Sequence, residues 1–235
     1  MLPKNVKTER LNGSTLDISL VTMNAAKIRT NKISALNNPF ATRHVSPGEI
    51  PYFFSSDRDF HQIIKRADKA SWTGQIVGPH GSGKTTLVRH LSDQLKQHFT
   101  AVEFFIVRGT GEVQVCPRLK GASHPVAKTL DPNGDSRRLY VIDGIERLSW
   151  LQRKLLVADC RRKKIGLLVT AHRRLLGLPV FFETSFDQLR FGKILRHLGT
   201  QQYEDRYEAL SNRFGNNCRE MLFELYDDHL KAVNY

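Results

Sequence analysis

The stretch that decides the fold of this chain is Gly78-Pro79-His80-Gly81-Ser82-Gly83-Lys84-Thr85-Thr86, which fits the pattern G-x-x-x-x-G-K-[ST] at every fixed position. A short apolar run over 74–77 precedes it, and Leu87, Val88 and Leu91 follow it at helical spacing, so it joins a predicted strand to a predicted helix. Glycines let the backbone turn inward, so that successive N–H groups and the helix N-terminus point at one anion. The nine residues therefore predict a loop that binds a polyphosphate; the alternative is an ordinary Gly/Ser turn.

Three side chains predict a magnesium site beside this loop. In phosphate loops of this pattern the lysine, here Lys84, reaches the β- and γ-phosphates, and the following hydroxyl, here Thr85, binds Mg²⁺. Downstream, Asp143 ends the apolar run 139–142, which predicts a strand that brings a carboxylate to the edge where ligands bind in open α/β sheets. Asp143 is therefore predicted to hold the same Mg²⁺, usually through a water.

Two further polar residues are predicted at that edge. The run 165–170 predicts another strand, which places Thr170 and His172 at the same sheet edge as Asp143. A polar side chain there can hydrogen-bond the attacking water or the γ-phosphate. The alternative is that Thr170 or His172 only caps the following turn.

The alternation of apolar runs and helical periods predicts an α/β fold, with a three-layer core around a parallel sheet and a small C-terminal helical domain. The predicted units are a basic, disordered arm over 1–38, the core over 39–184 and the helical domain over 185–235. Residues 109–137, rich in Gly, Pro, Asp and Ser, predict a surface insertion. Ser185 and Gln188 form a capping-box pattern at the start of the helical domain. The predicted strands are 74–77, 101–107, 139–143, 165–170 and 180–183, and the predicted helices are 57–70, 84–98, 149–162, 185–198, 203–214 and one from about 216.

The charge favours a polyanionic partner. The chain has 36 Lys and Arg residues against 23 Asp and Glu residues, a formal net charge of +13, and a basic surface attracts nucleic acid through counterion release. Part of this charge can instead serve a bound nucleotide. The basic run 161–164 ends a predicted helix, where the dipole favours cations, and a nucleic-acid contact is the alternative there. The arm over 1–38 is interpreted as a solvated tail, or else as a contact for nucleic acid or a partner.

Cysteine usage and apolar run length bear on compartment. Cys116, Cys160 and Cys218 are scattered without metal-ligand spacing, which predicts reduced thiols. No run approaches the roughly 18 apolar residues of a membrane span, and the N-terminus lacks the apolar segment of a signal peptide. The sequence therefore predicts a cytoplasmic protein without membrane contact.

Taken together, these motifs resemble the P-loop NTPases that carry an extra strand between the phosphate loop and the magnesium-binding Asp, and within them the AAA+ and STAND groups. The resemblance spans roughly 38–235 and includes the sensor-like Val169-Thr170-Ala171-His172. The stretch Gly215-Asn216-Asn217-Cys218-Arg219-Glu220 looks like the G-N-x-R-E start of a lid helix in many AAA+ proteins. The resemblance implies that Mg·ATP binds and that Arg219 reaches its γ-phosphate; the alternative is that Arg219 faces solvent.

The residue after Asp143 departs from most of these ATPases. They place a catalytic Glu there, whereas this chain has Gly144, and its first carboxylate is Glu146. The run resembles the Asp-Gly-x-Asp/Glu form of NACHT-type STAND proteins, which implies that Glu146 positions and deprotonates the water. Pairing with Arg147 at the surface is the alternative for Glu146. Slow hydrolysis, with the nucleotide acting mainly as a switch, is therefore one of the expectations.

Two features are left with open alternatives. The segment 38–54 combines aromatic residues with prolines, which predicts an ordered extended stretch that either walls an adenine pocket or packs in the core. AAA+ rings usually supply an arginine finger to a neighbouring subunit, and Arg173 or Arg174 lies where one would sit. Two adjacent arginines in a loop are more often solvated.

The leading functional hypothesis is an ATP-binding, Mg²⁺-dependent ATPase that works as a molecular switch, with lid movement controlling a protein partner or a homo-oligomer. The alternative is an ATP-gated nucleic-acid-binding adaptor of the origin-recognition or transposition-helper type, motivated by the charge. A P-loop kinase for a small molecule is disfavoured, because no acceptor-substrate pocket is evident.

Overall fold

The computed structural model of the chain describes residues 37–107, 109, 113–115 and 137–233. Most of the predicted arm over 1–38 and of the predicted insertion over 109–137 therefore lies outside the described residues. Within the described part, every helix is too short or too polar to cross a membrane.

Among the described residues, one six-stranded sheet forms the centre of the fold. Its strands are β1 Thr73–Val77, β2 Ala101–Val107, β3 Val113–Val115, β4 Arg138–Asp143, β5 Gly166–Ala171 and β6 Val180–Glu183. The order across the sheet is β3-β2-β4-β5-β1-β6, in which β3 runs antiparallel to β2 and the other five strands are parallel. The predicted α/β class with a parallel sheet is confirmed, and β5 lies between β1 and β4.

Eight α-helices with defined bounds surround or follow the sheet in the described residues. They are α1 Thr42–Val45, α2 Asp57–Lys69, α3 Lys84–His90, α4 Ser92–His98, α5 Trp150–Arg162, α6 Gln188–His197, α7 Tyr207–Phe214 and α8 Cys218–Val233. The described residues also include two 3₁₀ turns, Ile145–Arg147 between β4 and α5 and Gln201–Arg206 between α6 and α7.

Two apolar clusters cover the two faces of the sheet. Alternate strand residues point to opposite faces; Ile76 and Leu168 join the cluster of α2, α3 and α4, whereas Val77 and Val169 join the cluster of α5. All six residues of β5 are buried, as expected for a strand with both faces covered. The core therefore consists of a helical layer, the sheet and a second helical layer.

The C-terminal helices form a third apolar cluster, which Phe40 and Ile50 join from the segment before β1. In the same region Asn38 Nδ2 donates a hydrogen bond to the backbone oxygen of Tyr226 at 2.9 Å. The segment 38–50 thus packs on the C-terminal helices. The prediction of an extended conformation is wrong over Thr42–Val45, which forms α1.

The predicted N-cap residue is correct for α5 and wrong for α6. Ser149 caps α5 in a full capping box with Gln152, as predicted from Ser149. The capping box predicted for Ser185 and Gln188 is wrong, because Asp187 is the N-cap of α6 and its carboxylate accepts from the Arg190 amide at 2.9 Å. An Asp carboxylate is a strong N-cap acceptor, and it lies nearer the first helical residue than Ser185 does.

Two of the predicted helices are not continuous α-helices in the structure. The helix predicted over 84–98 is interrupted at Leu91, which keeps helical angles of φ −73° and ψ −13°. The helix predicted over 203–214 begins as the 3₁₀ turn Gln201–Arg206 and becomes α-helical only at Tyr207.

Candidate functional site

A cavity of about 540 Å³ lies between the carboxyl edge of the parallel strands, the segment 42–53 and the first residues of α8. Seven of the nine residues of the predicted phosphate loop line it, from His80 to Thr86. The other predicted site residues that line it are Asp143, Glu146, Thr170, His172 and Arg219. The fold therefore brings every predicted catalytic and metal-binding side chain to one cavity, of a size typical for a small-molecule site.

The loop itself needs glycine at two close contacts. Gly81 has φ +70°, and a β-carbon there would come within 1.9 Å of Asn217 Oδ1 at the start of the C-terminal helix. Gly83 has φ +90°, and its β-carbon would come within 3.2 Å of the Tyr52 ring. Side chains at these positions would be strained by the left-handed backbone as well as by the contacts. The loop is thus packed between Tyr52 and Asn217.

Lys84 is buried and folded back on its own loop. Its Nζ donates hydrogen bonds to the carbonyl oxygens of Gly78 at 2.6 Å and Pro79 at 2.7 Å. Burial lowers the pKa of Lys84, against the opposing effect of the Asp143 and Glu146 carboxylates. Gly78 and Pro79, which were predicted to contact phosphate, are outside the cavity lining and hold Lys84 through these carbonyls.

Asp143 is held from both sides by hydroxyls. Thr85 Oγ1 donates to Asp143 Oδ2 at 2.8 Å, and Thr170 Oγ1 donates to Asp143 Oδ1. The amide of Gly144 donates to Thr170 Oγ1 at 3.1 Å. Because Thr170 is 1% exposed, its contact with Asp143 fixes the orientation of the carboxylate.

The Thr85 hydroxyl and the Asp143 carboxylate also fit the chemistry of a magnesium site. Both supply oxygen, the ligand that Mg²⁺ takes, and Mg²⁺ is usually bound by one or two carboxylates together with waters and substrate phosphates. Among the described residues no cation forms an ion pair with Asp143, and no group of three or more His, Cys, Asp or Glu side chains is arranged for a metal. A metal here would therefore be shared between Asp143, Thr85 and a phosphate ligand.

His172 joins Lys84 to Glu146. Its Nδ1 lies 3.1 Å from Lys84 Nζ, and its Nε2 lies 3.1 Å from Glu146 Oε1. Burial and then the Lys84 cation lower the pKa of His172, with Glu146 acting in the opposite direction. An ammonium group can only donate, so Nδ1 of the neutral ring accepts from Lys84, and the Nε2–H donates to Glu146.

Glu146 retains one oxygen without a partner. Its Oε2 is buried and makes no hydrogen bond within the described residues. The alternative pairing with Arg147 is not observed, since the partner is His172. The imidazole of His80, on the phosphate loop, stacks on His172 with ring centroids 3.5 Å apart and planes 32° apart, so the ring that orients Glu146 is itself held by the loop.

Arg219 and the arginine pair lie in different places. Arg219 is exposed in the first turn of α8, lines the cavity and has no partner among the described residues. Arg173 and Arg174 lie outside the described lining of the cavity, and Arg174 Nε donates to Glu183 Oε1 at 2.7 Å.

Pro47 and Ile50 line the cavity on the side of the segment 42–53. Ile50 also joins the C-terminal apolar cluster. The segment 42–53 therefore both packs on the C-terminal helices and forms one wall of the cavity.

Arg190 and Asn217 line the cavity and Gln75 supports the loop after His172, and the contacts of these three residues were not predicted. Arg190 is 5% exposed and bonds to the Phe53 carbonyl, to Ser55 and to Ser185, which ties the segment before α2 to the start of α6. Asn217 contacts Gly81, and Gln75 in β1 makes three hydrogen bonds to Leu175 and Leu178 in the loop after His172. Gln75 could have been singled out, because a polar residue within an otherwise apolar strand indicates a specific hydrogen-bond partner. Arg190 could not, because it lies in an amphipathic helix, where an arginine normally faces solvent.

A comparison with protein-family models and a search of curated proteins found no match to this chain.

Proposed function

We propose that this chain binds Mg·ATP in the cavity at the phosphate loop and acts as an ATP-dependent molecular switch with ATP hydrolase activity. The observation that carries the proposal is the 2.8 Å hydrogen bond between Thr85 and Asp143. These residues lie 58 positions apart, Thr85 in the first turn of α3 after β1 and Asp143 at the end of β4, with β5 between the two strands, yet the two predicted metal ligands meet. If residues 78–86 matched the loop pattern only by chance, nothing would require an acidic side chain beside Thr85.

The phosphate loop supplies the binding. Backbone N–H groups at the start of α3 favour an anion, and the buried Lys84 has donors that can pass from the Gly78 and Pro79 carbonyls to phosphate oxygens. The carbonyl contacts hold the ammonium group in place before a ligand arrives. When bound, Mg²⁺ would neutralise the phosphates, and Thr85 with Asp143 would hold it.

Glu146 is the base that fits hydrolysis. A general base must lie within hydrogen-bond reach of the water, and Glu146 Oε2 is a buried carboxylate oxygen on a residue of the cavity lining, with no hydrogen-bond partner among the described residues. The proton of the attacking water would pass to that carboxylate as the new bond to the γ-phosphorus forms and the bond to the leaving oxygen breaks. His172 orients Glu146 through Oε1 and leaves Oε2 for the water.

The contact of Gly81 with Asn217 supports the switch. The loop that would hold the phosphates touches the residue before α8, and Arg219, two residues later, lines the same cavity. A change in the loop is therefore transmitted directly to the C-terminal helices, which form an apolar cluster of their own. We infer that nucleotide state alters the position of these helices and hence the binding of a partner protein or of another copy.

The decisive experiment is calorimetric titration of the purified chain with ATP in the presence and absence of Mg²⁺. Wild type should bind and Lys84→Ala should not, while Lys96→Ala, an exposed lysine paired with Asp93, should bind as wild type does. Equal binding by wild type and Lys84→Ala would overturn the proposal. Thermal unfolding of each variant separates loss of binding from loss of the fold.

A second function, an ATP-gated nucleic-acid-binding adaptor, is favoured by where the charge lies. Residues 137–184 carry eleven Lys and Arg against four Asp and Glu, whereas residues 185–233 carry seven against eight. Electrostatic binding to DNA strengthens as salt falls. An absence of DNA binding at low ionic strength, with and without ATP, would exclude this function while leaving nucleotide binding untouched.

A further inference from the structure

Thr184 directly follows β6 and places a buried hydroxyl against the phosphate loop. Thr184 is 3% exposed, and its Oγ1 lies 2.6 Å from Oγ of Ser82, a loop residue that is 2% exposed and 102 positions earlier in the chain. A β-carbon at Gly78 would collide with the same Oγ1, so the first residue of the loop packs directly on Thr184. Thr184 itself lies outside the described lining of the cavity, so any effect that it has on a ligand must pass through the loop.

The two hydroxyls have two protons for three contacts. Ser82 Oγ lies 2.8 Å from the Pro79 carbonyl oxygen, and Thr184 Oγ1 lies 3.3 Å from the Val77 carbonyl oxygen. Each hydroxyl donates one proton, so the pair can bond each other and one of these carbonyls, but not both.

The distances decide the direction of these bonds. An O–H···O bond is normally about 2.5–3.0 Å long, so the Pro79 contact is within range and the Val77 contact is too long. The Val77 carbonyl is also already paired, because it accepts the Thr184 amide at 2.8 Å. The Thr184 hydroxyl therefore donates to Ser82, and the Ser82 hydroxyl donates to the Pro79 carbonyl.

The Pro79 carbonyl is shared between Ser82 and Lys84. Its oxygen also accepts from Lys84 Nζ at 2.7 Å, a contact that ends if Lys84 turns to a phosphate. The contacts from Ser82 then remain, and its hydroxyl at 2.8 Å is closer than its amide at 3.4 Å. A carbonyl oxygen carries partial negative charge, and one that turned into the cavity would repel the anion that the loop N–H groups favour.

We propose that Thr184 is a positioning residue of the phosphate loop. Its hydroxyl holds Ser82, and Ser82 holds the Pro79 carbonyl, so that the loop keeps its phosphate-binding shape after Lys84 has moved to the ligand. This role rests on the proposed function, because it concerns the same site. The loop pattern G-x-x-x-x-G-K-[ST] leaves the position of Ser82 open, so the pair of hydroxyls is a feature of this chain and not a requirement of the pattern.

The test is calorimetric titration of the full chain with Mg·ATP and, separately, with inorganic triphosphate and Mg²⁺. Thr184→Val keeps the shape of the side chain without the hydroxyl and should weaken the binding of both ligands about tenfold, which is ~1.4 kcal/mol. Thr184→Ser keeps the hydroxyl and should stay within about twofold of wild type, less than ~0.5 kcal/mol. For Thr184→Val the KM for ATP should rise while turnover at saturation stays within about twofold, because the loss is in binding.

The matched control is Thr200→Val. Thr200 is 2% exposed, donates from Oγ1 to the Leu195 carbonyl at 3.2 Å and lies in the helical domain outside the described lining of the cavity. Its loss should lower stability in urea as Thr184→Val does, yet leave the binding of both ligands within about twofold of wild type.

A double-mutant cycle tests the route through Ser82. Ser82→Ala should weaken binding, and adding Thr184→Val to it should weaken binding by less than a further twofold or so, because the two hydroxyls act in series. Additive losses would show that Thr184 acts by another route.

The proposal is overturned if Thr184→Val binds as wild type does, if Thr200→Val weakens binding equally, or if Thr184→Ser fails to restore it. A loss for ATP without a loss for triphosphate would also overturn it, and would assign Thr184 to α6 instead, because Arg190 Nη1 of α6 contacts the neighbouring Ser185 at 2.9 Å. Failure of the proposed function looks different. If wild type binds triphosphate but not Mg·ATP, that function fails and the triphosphate titrations still test Thr184; if wild type binds neither ligand, both proposals are overturned.

Discussion

The hydroxyl of Thr170 donates a hydrogen bond to Oδ1 of Asp143 from the neighbouring strand. The same hydroxyl accepts the Gly144 amide, so one buried side chain orients the carboxylate and the backbone that follows it. Thr170 therefore holds the Asp143 carboxylate in one orientation at the cavity.

Thr170→Val should weaken Mg·ATP binding by about tenfold, because it removes a donor to Asp143 and leaves the Gly144 amide without its acceptor. Unfolding by urea should show a loss of about 1–2 kcal/mol. Thr170→Ser keeps the hydroxyl and should restore most of the binding. A valine variant that binds Mg·ATP as wild type does would show that Asp143 needs no such support.

Glu146→Gln should separate hydrolysis from binding. The amide keeps an acceptor for the His172 Nε2–H but cannot take a proton from water, so turnover should fall by about 10²–10⁴-fold, the range of general base catalysis. The dissociation constant for Mg·ATP should remain within about twofold, less than ~0.5 kcal/mol. Phosphate release and calorimetry measure the two quantities.

The matched variant for this experiment is Glu183→Gln, which changes an exposed carboxylate paired with Arg174 and should leave turnover intact. If Glu146→Gln hydrolyses ATP at the wild-type rate, another group is the base.

His172 should make stability depend on pH below neutrality. Burial, and then the Lys84 cation, lower the pKa of His172, whereas the unfolded chain takes up the proton near the ordinary value of about 6.5. Between the two values the unfolded state binds more protons, so the free energy of unfolding falls as pH falls below about 6.5 and levels off below the folded pKa.

His172→Gln removes that contribution. Chemical unfolding between pH 5 and 8 should therefore give a shallower loss of stability on the acid side for the variant, with parallel behaviour above about pH 7.5. Curves of equal slope on the acid side would mean that His172 is not shifted in the folded chain.

Arg190→Ala should be among the more damaging changes away from the phosphate loop. It deletes a nearly buried guanidinium that bonds to the Phe53 carbonyl at 3.0 Å and to the Ser55 and Ser185 hydroxyls, and it leaves those acceptors unsatisfied. The expected loss is about 3 kcal/mol in the free energy of unfolding.

Arg196→Ala provides the comparison, since Arg196 is an exposed residue of the same helix that pairs with Glu204 at 3.4 Å. Its removal should cost less than about 1 kcal/mol. If the two variants lose equal free energy of unfolding in urea, the hydrogen bonds of Arg190 do not stabilise the packing of the segment 53–55 on α6.

Much of the fold was predictable because local signals and tertiary packing agree. The apolar run of β2 gave its bounds, Ala101–Val107, and Ser149 began α5. Signals failed where two acceptors competed, as at Ser185 and Asp187, and where the period of the apolar residues does not distinguish a 3₁₀ turn from an α-helix, as at Gln201–Arg206. The pairing of β3 with β2 could not be foreseen, since a three-residue strand carries almost no periodic signal.

The predicted site residues do meet at one cavity, but their connections could not be predicted. Pattern and spacing selected Lys84, Thr85 and Asp143, which all line it. Lys84 and His172 lie 88 positions apart in the sequence, and His172 in turn contacts Glu146. This link depends on side-chain rotamers, which no spacing rule encodes. The contact of Asn217 with Gly81 likewise depends on how the C-terminal helices dock.

The position of β5 between β1 and β4 has a consequence for folding. Pairing fixes Val77 opposite Ala171 and Ile142 opposite Val169, and these two registers set the height of Asp143 relative to the phosphate loop. A slip of one residue in either pair would shift Asp143 by about 3.3 Å and turn its side chain to the other face of the sheet. A ligand that bound Asp143 and residues 80–86 together would therefore stabilise only chains whose three strands have paired in this register.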